Sequence, residues 1–173
     1  MNPAAPGAGP LTDLRAFLLG SWSVHRTMLD RSTGSLGHFT GVALYTGTSD
    51  TGTNDGGLHY REHGTVSWAT AGARPFTGSA SREYVLRPAA EPADEPGMMD
   101  MFFPDGRPFH RMGFADLSHQ DRHWCDPDTY RVDYTLIGPD EFRYSWDVTG
   151  PAKNLLLESV VRRFPVSSEG LPA

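Results

Sequence analysis

Most of the chain alternates apolar and polar residues with a period of two, which is the spacing of a β-strand that buries one face. The pattern first appears where Trp22, Val24, Arg26 and Met28 alternate with more polar neighbours. Turn-rich stretches separate nine segments of this kind, and their approximate ranges are 22–28, 38–45, 58–68, 76–86, 98–103, 108–114, 129–136, 142–148 and 154–164.

A short helix is predicted before the first strand. Leu14, Phe17 and Leu18 fall on one helical face, Thr12 can cap its start and Gly20 can end it. Because the helix is so short, we expect it to plug or cover a larger β structure.

The strands follow one another without the βαβ pattern, so they predict an all-β, up-and-down antiparallel sheet. The Asp105-Gly106 turn between two of them is a strong hairpin signal. Closing such a sheet into a barrel removes its exposed edges. The pattern therefore predicts a closed antiparallel barrel of about nine strands, whose interior is wide enough for one small ligand.

Length and composition fit this interpretation. The 173 residues suit one domain. We expect a barrel domain over 11–165, with disordered ends at 1–10, which is rich in Pro, Ala and Gly, and at 166–173. An apolar fraction of 38% and a mean hydropathy of -0.42 suit a thin-walled β architecture with polar ends.

Charge and cysteine content narrow the partners and the compartment. The net charge is -6 and the basic residues are scattered, which argues against nucleic acid and anionic membranes as partners. No apolar run approaches the roughly 20 residues of a membrane span, and the start of the chain does not resemble a signal peptide. Cys125 is the only cysteine, so we expect a reducing, cytoplasmic environment.

Two charged residues share a face with the apolar set and are predicted to point inward. Arg26 is in phase with Trp22, and Glu62 is in phase with Tyr60. A buried carboxylate needs a partner, and Arg26 is the natural one. The pair could simply fix the barrel's shape. Alternatively, Glu62 could be a general acid or base with a raised pKa, with Arg26 as a catalytic partner and Tyr60 as a hydrogen-bond donor.

His110 is the third candidate catalytic residue, because it shares a face with Met112 and Phe114. A single histidine on an apolar face can be a hydrogen-bonded core residue or a group that exchanges a proton with a ligand. Aromatic residues on inward faces would form most of a ligand-binding wall, and their hydroxyls could orient the ligand. The predicted aromatic ligand contacts are Trp22, Tyr60, Tyr84, Tyr130, Tyr144 and Trp146.

The segment 115–128 is predicted to be a structured loop at the rim of the barrel. His119, His123 and Cys125 have ligand types that suit zinc, but their spacing matches no zinc pattern, so no metal is predicted. Cys125 could be a nucleophile beside His123, or both could pack beneath a turn in which Asp128 caps its own backbone. We include His123 and Cys125 among the predicted ligand contacts.

Four sequence blocks resemble known proteins. Gly20-Ser21-Trp22 after a short helix resembles the G-x-W start of lipocalins and their calycin relatives. The blocks DGRPFH from residue 105, HWCDPDTYRV from residue 123 and WDVTGPAK from residue 146 resemble those of an uncharacterised lipocalin-like domain family. The resemblance covers about 11–164 and implies a calycin-like barrel with no settled activity.

The resemblance also bears on single residues. Calycins often cover the first tryptophan with an arginine from the last strand, which here is Arg162 or Arg163. Ala152 stands where family members commonly have a basic residue, and Asn154 where an acidic one is usual. If this turn binds an anion, the specificity of this chain is altered. Lys153 in the same turn could stay solvated or reach over the barrel mouth towards an anionic ligand.

Three functions fit these residues. The first is a metal-free, cofactor-free enzyme that performs an isomerisation, cyclisation or dehydration, with Glu62 and His110 exchanging the proton and Arg26 and Lys153 holding negative charge. The second is a non-catalytic carrier or sensor, and the third is a nitrobindin-like haem protein with an axial histidine. In the first two cases we expect a small, partly apolar ligand of anionic or aromatic character, and a monomeric or homodimeric protein.

Overall fold

A computed structural model describes the segments 11–48, 56–69, 74–90, 97–114 and 118–165, without the side chains of 118 and 119. The predicted leader and tail lie outside the described residues. The description therefore covers most of the expected barrel domain.

The described residues form one short helix and ten strands. No helix among the described residues is long and apolar enough to cross a membrane. The elements are α1 (Leu14–Leu18), β1 (Gly20–Asp30), β2 (Ser35–Gly47), β3 (Leu58–Ala69), β4 (Phe76–Pro88), β5 (Met98–Phe102), β6 (Pro108–Gly113), β7 (Ser118–Cys125), β8 (Asp128–Gly138), β9 (Glu141–Gly150) and β10 (Lys153–Arg163).

All ten strands belong to one antiparallel, up-and-down sheet in the order β6-β5-β4-β3-β2-β1-β10-β9-β8-β7. The sheet curls into a nearly closed barrel whose seam lies between β6 and β7. At this seam the backbone N–H of Arg111 donates to a carboxylate oxygen of Asp121. The predicted all-β barrel is confirmed, although a side-chain bond rather than a strand ladder spans this point of the seam.

The strand β7 was not expected, because 115–128 was predicted to be a loop. Its sequence SHQDRHWC has no clean alternation of apolar and polar residues. It nevertheless pairs with β8 in continuous register from Ser118 opposite Thr135 to Cys125 opposite Asp128. Backbone pairing along the edge of an existing sheet, rather than the residues' own β preference, therefore defines this strand.

The helix α1 closes one end of the barrel, as the sequence predicts. Its N-cap is Asp13, which accepts from the N–H of Ala16, so the expectation of a cap at Thr12 is wrong by one residue. Trp22 is completely buried beneath the helix and donates from Nε1 to the carbonyl of Leu18 over 2.7 Å.

Arg163 covers Trp22 from the last strand. Its guanidinium carbon lies 4.1 Å from the centre of the Trp22 ring. The same group donates to the carbonyls of Phe17 and Leu19, which lie at the end of the helix. Of the two arginines considered, Arg163 therefore fills this position. It ties the helix, the first strand and the last strand together.

Candidate functional site

Arg26 lies inside the barrel, where the alternation of β1 places it, and only 6% of the residue is exposed. Its Nη1 and Nη2 atoms donate to the two carboxylate oxygens of Glu62 over 2.9 and 2.8 Å. Nε donates to Ser159 Oγ over 2.8 Å, and Nη2 also donates to the Tyr144 hydroxyl over 2.6 Å. The predicted pairing of Arg26 with Glu62 is confirmed and is bidentate, which is the strong geometry for this pair.

Two glycines on neighbouring strands make room for this pair. Gly41 on β2 lies opposite Gly64 on β3, and the ring of Phe39 packs over both. The guanidinium of Arg26 sits 5.0 Å from the centre of that ring. A Cβ atom at Gly41 would meet the Phe39 ring at 2.5 Å, so a larger residue there would displace the ring that supports Arg26.

Glu62 is held as a carboxylate by its neighbours. Besides the bonds from Arg26, it accepts from the Tyr60 hydroxyl and from Arg82 Nε, the latter over 2.9 Å. Burial alone would raise the pKa of Glu62, but the hydrogen bonds from Arg26 and the charge of Arg82 lower it to about 2. The expectation of a raised pKa is therefore wrong. With a pKa this low, Glu62 has no proton to donate at neutral pH and is too weak a base to take one readily from a ligand.

Arg82 on β4 completes a buried ion triad with Arg26 and Glu62. Its Nη2 atom donates to Glu62 over 3.3 Å and to the Tyr144 hydroxyl over 3.2 Å. The Arg82 side chain is 29% exposed, against 3% for the Glu62 side chain. Two guanidinium groups share one carboxylate, so the triad carries one net positive charge inside the barrel, and Arg82 is its accessible member.

His110 lies on the opposite side of the interior and is 7% exposed. Its Nε2 atom makes a 2.7 Å hydrogen bond with the Tyr134 hydroxyl, and the two rings stack. Burial raises the pKa of Tyr134 well above its usual value, so the phenol keeps its proton. His110 is therefore oriented by a neutral hydroxyl.

A β-bulge next to His110 turns a second side chain inward. On β5, Met101 pairs with His110 and Phe102 pairs with Pro108, so Phe109 has no partner in the register. The extra residue breaks the alternation, and both Phe109 and His110 line the cavity. Alternation alone places Phe109 outside, so the residue pattern does not predict it as a cavity residue.

Phe109 lies between two aromatic side chains. Its ring centre is 5.2 Å from that of Tyr84 at an interplanar angle of 28°, and 5.1 Å from that of Trp146 at 7°. Phe103 and His123 also contact the Phe109 ring, with ring centres 4.7 and 5.2 Å away. The ring therefore fills a flat slot between Tyr84 and Trp146.

The free space beside these residues is small, at about 30 Å³. A volume of this size holds about one or two water molecules. Four of the predicted ligand contacts line the cavity, namely Tyr60, Tyr84, Tyr144 and Trp146, together with the candidate catalytic residue His110. Its further walls are Tyr45, Arg82, Met101, Phe109, Met112, Tyr134 and Phe142.

Trp22 does not line this cavity, although it was predicted to contact ligand. It packs against Phe17 and Phe142 beneath the helix, at the plugged end of the barrel. In this position its role is to seal that end.

The hairpin between β9 and β10 carries Lys153 to the rim. Lys153 forms a 2.7 Å ion pair with Asp128 and a 3.1 Å hydrogen bond with the Tyr130 hydroxyl. The bond to Asp128, followed by the bond to Tyr130, raises the pKa of the Lys153 amino group. Asp128 thus pairs with Lys153 in the structure, and Tyr130 contacts His123 and Trp146 at the edge of the interior.

Cys125 lies at the end of β7 and is exposed, so the prediction that it packs beneath a turn is wrong for this residue. Cys125 is on the same face of β7 as His123, but it is the last residue of the strand and lies next to the turn into β8. His123, in contrast, is half-buried against Phe109. The His119 side chain lies outside the described ones, and no three potential metal ligands among the described residues converge on a point.

A wider concavity of about 510 Å³ lies on the outer face of the barrel, and we do not regard it as the site. Half of its lining residues are exposed, including His25, His38 and Glu158, although Arg26 and Tyr144 of the interior also line it. Solvated side chains bind weakly and select poorly, whereas the interior holds desolvated charge beside an apolar wall.

Sequence reasoning missed Arg82 and Phe109 as site residues. Arg82 is in phase with Tyr84 and Leu86 on β4, so the same alternation that placed Glu62 inside could have found it. Phe109 left no such signal, because a bulge depends on the register between two strands.

A known protein family matches most of the chain. Residues 18–163 match the model of DUF6314, described as a family of unknown function. The chain belongs to this family. That the three blocks named above are its signature stays a prediction. Comparison with curated protein sequences gave no match.

Several solved structures are similar to this chain. An S-type phycobiliprotein lyase from Guillardia theta has 13% identity and a TM-score of 0.58, with 92% of this chain and 95% of that chain covered. A DUF3598 protein of unknown function from Nostoc punctiforme has 14% identity and a TM-score of 0.46, with 91% and 51% covered. A designed fluorescence-activating β-barrel has 14% identity and a TM-score of 0.41, with 89% and 100% covered. At these identities the first structure supports the fold alone.

Proposed function

We propose that this protein binds a small, flat molecule that carries a carboxylate or a similar anionic group, with the anion against Arg82 and the flat body against the aromatic wall. The observation that carries the proposal is the net positive charge of the buried ion triad beside the aromatic cavity. A charge that is withdrawn from water favours a counter-ion, because the low local dielectric strengthens the attraction.

Arg82 is suited to receive the anion because it is the least buried member of the triad and lines the cavity. A guanidinium can hold a carboxylate in charge-assisted hydrogen bonds, which are about twice as strong as neutral ones. The hydroxyls of Tyr84 and Tyr144 lie on the same wall and can add neutral donors. The apolar body of the ligand would then lie against Met112 and Trp146.

The proposal can be tested by calorimetry with 2-naphthoate and its neutral analogue 2-naphthamide. We expect Arg82→Gln to weaken naphthoate binding by about 10- to 100-fold, the usual worth of one charge-assisted contact, and to change naphthamide binding little. Arg61→Gln is the matched control, because Arg61 lies on the neighbouring strand and pairs with Glu83 on the outer surface. If the wild-type protein binds neither compound, or binds both equally, the proposal fails.

A second candidate is acid–base catalysis on the same ligand, which the His110–Tyr134 pair favours. His110 lines the cavity, and a hydrogen bond between its Nε2 atom and the Tyr134 hydroxyl holds the ring in place, so it can exchange a proton in an isomerisation, cyclisation or dehydration. Glu62 takes no proton in this version, and Arg26 with Arg82 holds developing negative charge. We expect His110→Gln to retain naphthoate binding while it loses turnover of a co-purified substrate. Equal loss of both activities would favour a carrier.

The haem-binding alternative has little support. The Nε2 atom of His110 is already hydrogen-bonded to Tyr134, and the cavity of about 30 Å³ has no room for a porphyrin. A Soret band in protein purified from haem-supplemented cells would reverse this view.

A further inference from the structure

The geometry points to Phe109 as a displaceable ring that fills the subsite for the flat part of the ligand. This inference rests on the proposed function and deepens it, because it names where the flat group binds and what must move first. The ligand class it selects is a planar aromatic or conjugated anion, thin enough to stack between Tyr84 and Trp146.

The cavity beside Arg82 is too small for a flat ligand while Phe109 fills its slot. The free space of about 30 Å³ is far below the roughly 300 Å³ of an ordinary small-molecule pocket. A flat ligand beside Arg82 therefore needs a side chain to leave the interior. Most of the other wall residues are buried members of the hydrophobic core, whereas Phe109 is only half-buried.

The rings on either side of Phe109 have a geometry that suits a flat group. Phe109 is nearly parallel to Trp146 at 7° and inclined to Tyr84 by 28°, so the three rings form a short stack. Planar groups pack well in such a slot because stacked rings gain contact area and favourable quadrupole interactions. A ligand ring that replaces Phe109 would keep both of these contacts. Phe109 thus occupies a ready-made planar subsite.

The backbone at Phe109 is less constrained by strand pairing than that of its neighbours. As the extra residue of a β-bulge, Phe109 stands outside the register that pairs Met101 with His110. A residue left out of the ladder can rotate with fewer paired hydrogen bonds to disturb. The turn 103–107 comes shortly before Phe109 in the chain, at the open end of the barrel, and Phe103 contacts Phe109 there. The ring therefore has a short way out to the rim.

The charge arrangement agrees with this subsite. Arg82 lines the same cavity as Phe109, and Tyr84 lies two residues from Arg82 on the same strand face. A planar anion in the slot could stack on Tyr84 and place its charged group against Arg82. The aromatic slot and the accessible guanidinium are therefore adjacent parts of one binding site.

The inference is tested by following Phe109 itself in the intact chain. With 4-fluorophenylalanine at position 109, we expect a fluorine resonance shifted by the ring currents of Tyr84 and Trp146. Addition of 2-naphthoate should remove this shift as the ring leaves the slot. If naphthoate binds, as calorimetry would show, and the resonance does not move, the inference is overturned.

A variant supplies the second measurement. Phe109→Ala should bind 2-naphthoate about tenfold more tightly and associate faster, because the slot is open from the start. Phe102→Ala is the matched control, since Phe102 precedes the turn but contacts Arg87 rather than the slot. Equal affinity and association rate for wild type and Phe109→Ala would overturn the inference and leave the proposed function standing. No binding by either protein would overturn the proposed function.

Discussion

At the scale of single residues, the sharing of one carboxylate between two arginines determines the charge of the barrel interior. A lone buried glutamate would resist ionisation, and desolvation does push the pKa of Glu62 upward. The two guanidinium groups and the Tyr60 hydroxyl outweigh that effect. The carboxylate therefore organises the arginines, and the surplus positive charge is left to the cavity.

Removing the Glu62 charge should destabilise the fold strongly. We expect Glu62→Gln to lower the free energy of unfolding by about 3–5 kcal/mol, because two buried guanidinium groups lose their shared partner. Glu83→Gln is the control, since Glu83 forms an exposed pair with Arg61 and should cost at most about 1 kcal/mol. Urea unfolding at pH 7 measures both. Similar losses for the two variants would contradict a central role for the triad.

The stability of the wild type should fall in acid through Glu62. Its pKa is about 2 in the folded state against 4.5 as the ordinary value. A depressed pKa contributes stability that is fully present above about pH 4.5 and disappears as the pH falls towards 2. The contribution is about 3 kcal/mol. Urea unfolding between pH 7 and pH 2.5 should show a steeper acid loss for wild type than for Glu62→Gln. Parallel curves would refute this assignment.

At the scale of elements, two departures from regular strands shape the site. The Gly41–Gly64 pair lets the Phe39 ring lie flat on the sheet beneath Arg26. The bulge at Phe109 adds a second inward ring beside His110. At the glycine pair, the absence of two side chains makes room for the Phe39 ring. At the bulge, the absence of a strand partner lets the Phe109 ring turn inward.

The glycine pair gives a prediction about packing. Gly41→Ala would put a Cβ atom 2.3 Å from the carbonyl oxygen of His63, so the strands or the Phe39 ring must shift. We expect a loss of about 1–3 kcal/mol, as for other overpacked sites. Gly138→Ala is the control, because nothing lies within 4 Å of the added Cβ. Thermal unfolding that ranks the two variants equally would show that the close contact relaxes without cost.

At the scale of the whole molecule, the barrel has one plugged end and one end with an aromatic rim. The helix, Trp22 and Arg163 form the plug. The rim contains Phe103, Phe109 and His123, which lie near the seam between β6 and β7. In the proposed function, the ligand enters from this rim, towards the buried ion triad.

Arg163 should matter to the whole fold because it links the helix to both the first and the last strand. We expect Arg163→Ala to lower stability by about 2–3 kcal/mol, from the lost stacking on Trp22 and the lost donors to the helix carbonyls. For a chain of this length that is a fall in Tm of about 4–12 °C. Arg162→Ala, which removes an exposed pair with Glu141, should shift Tm far less. Calorimetry that finds equal shifts would contradict the linking role.

Much of this architecture could be predicted from the pattern of residues. Strand alternation placed Arg26, Glu62 and His110 inside the barrel, because side-chain direction in a regular strand follows from position along the chain. The pairing of Arg26 with Glu62 followed from the cost of an unpaired buried charge. The strand β7 could not be predicted in this way, since the edge of a neighbouring strand defines it.

The sequence by itself determined the barrel, the plug at one end and the set of ionisable residues that face inward, because these depend on local periodicity. Only the tertiary structure decided how those residues act. The pKa of Glu62 depends on Arg82 from another strand, the inward ring of Phe109 depends on the register between β5 and β6, and Trp22 belongs to the plug because the helix folds over it. Each of these is a relation between distant parts of the chain.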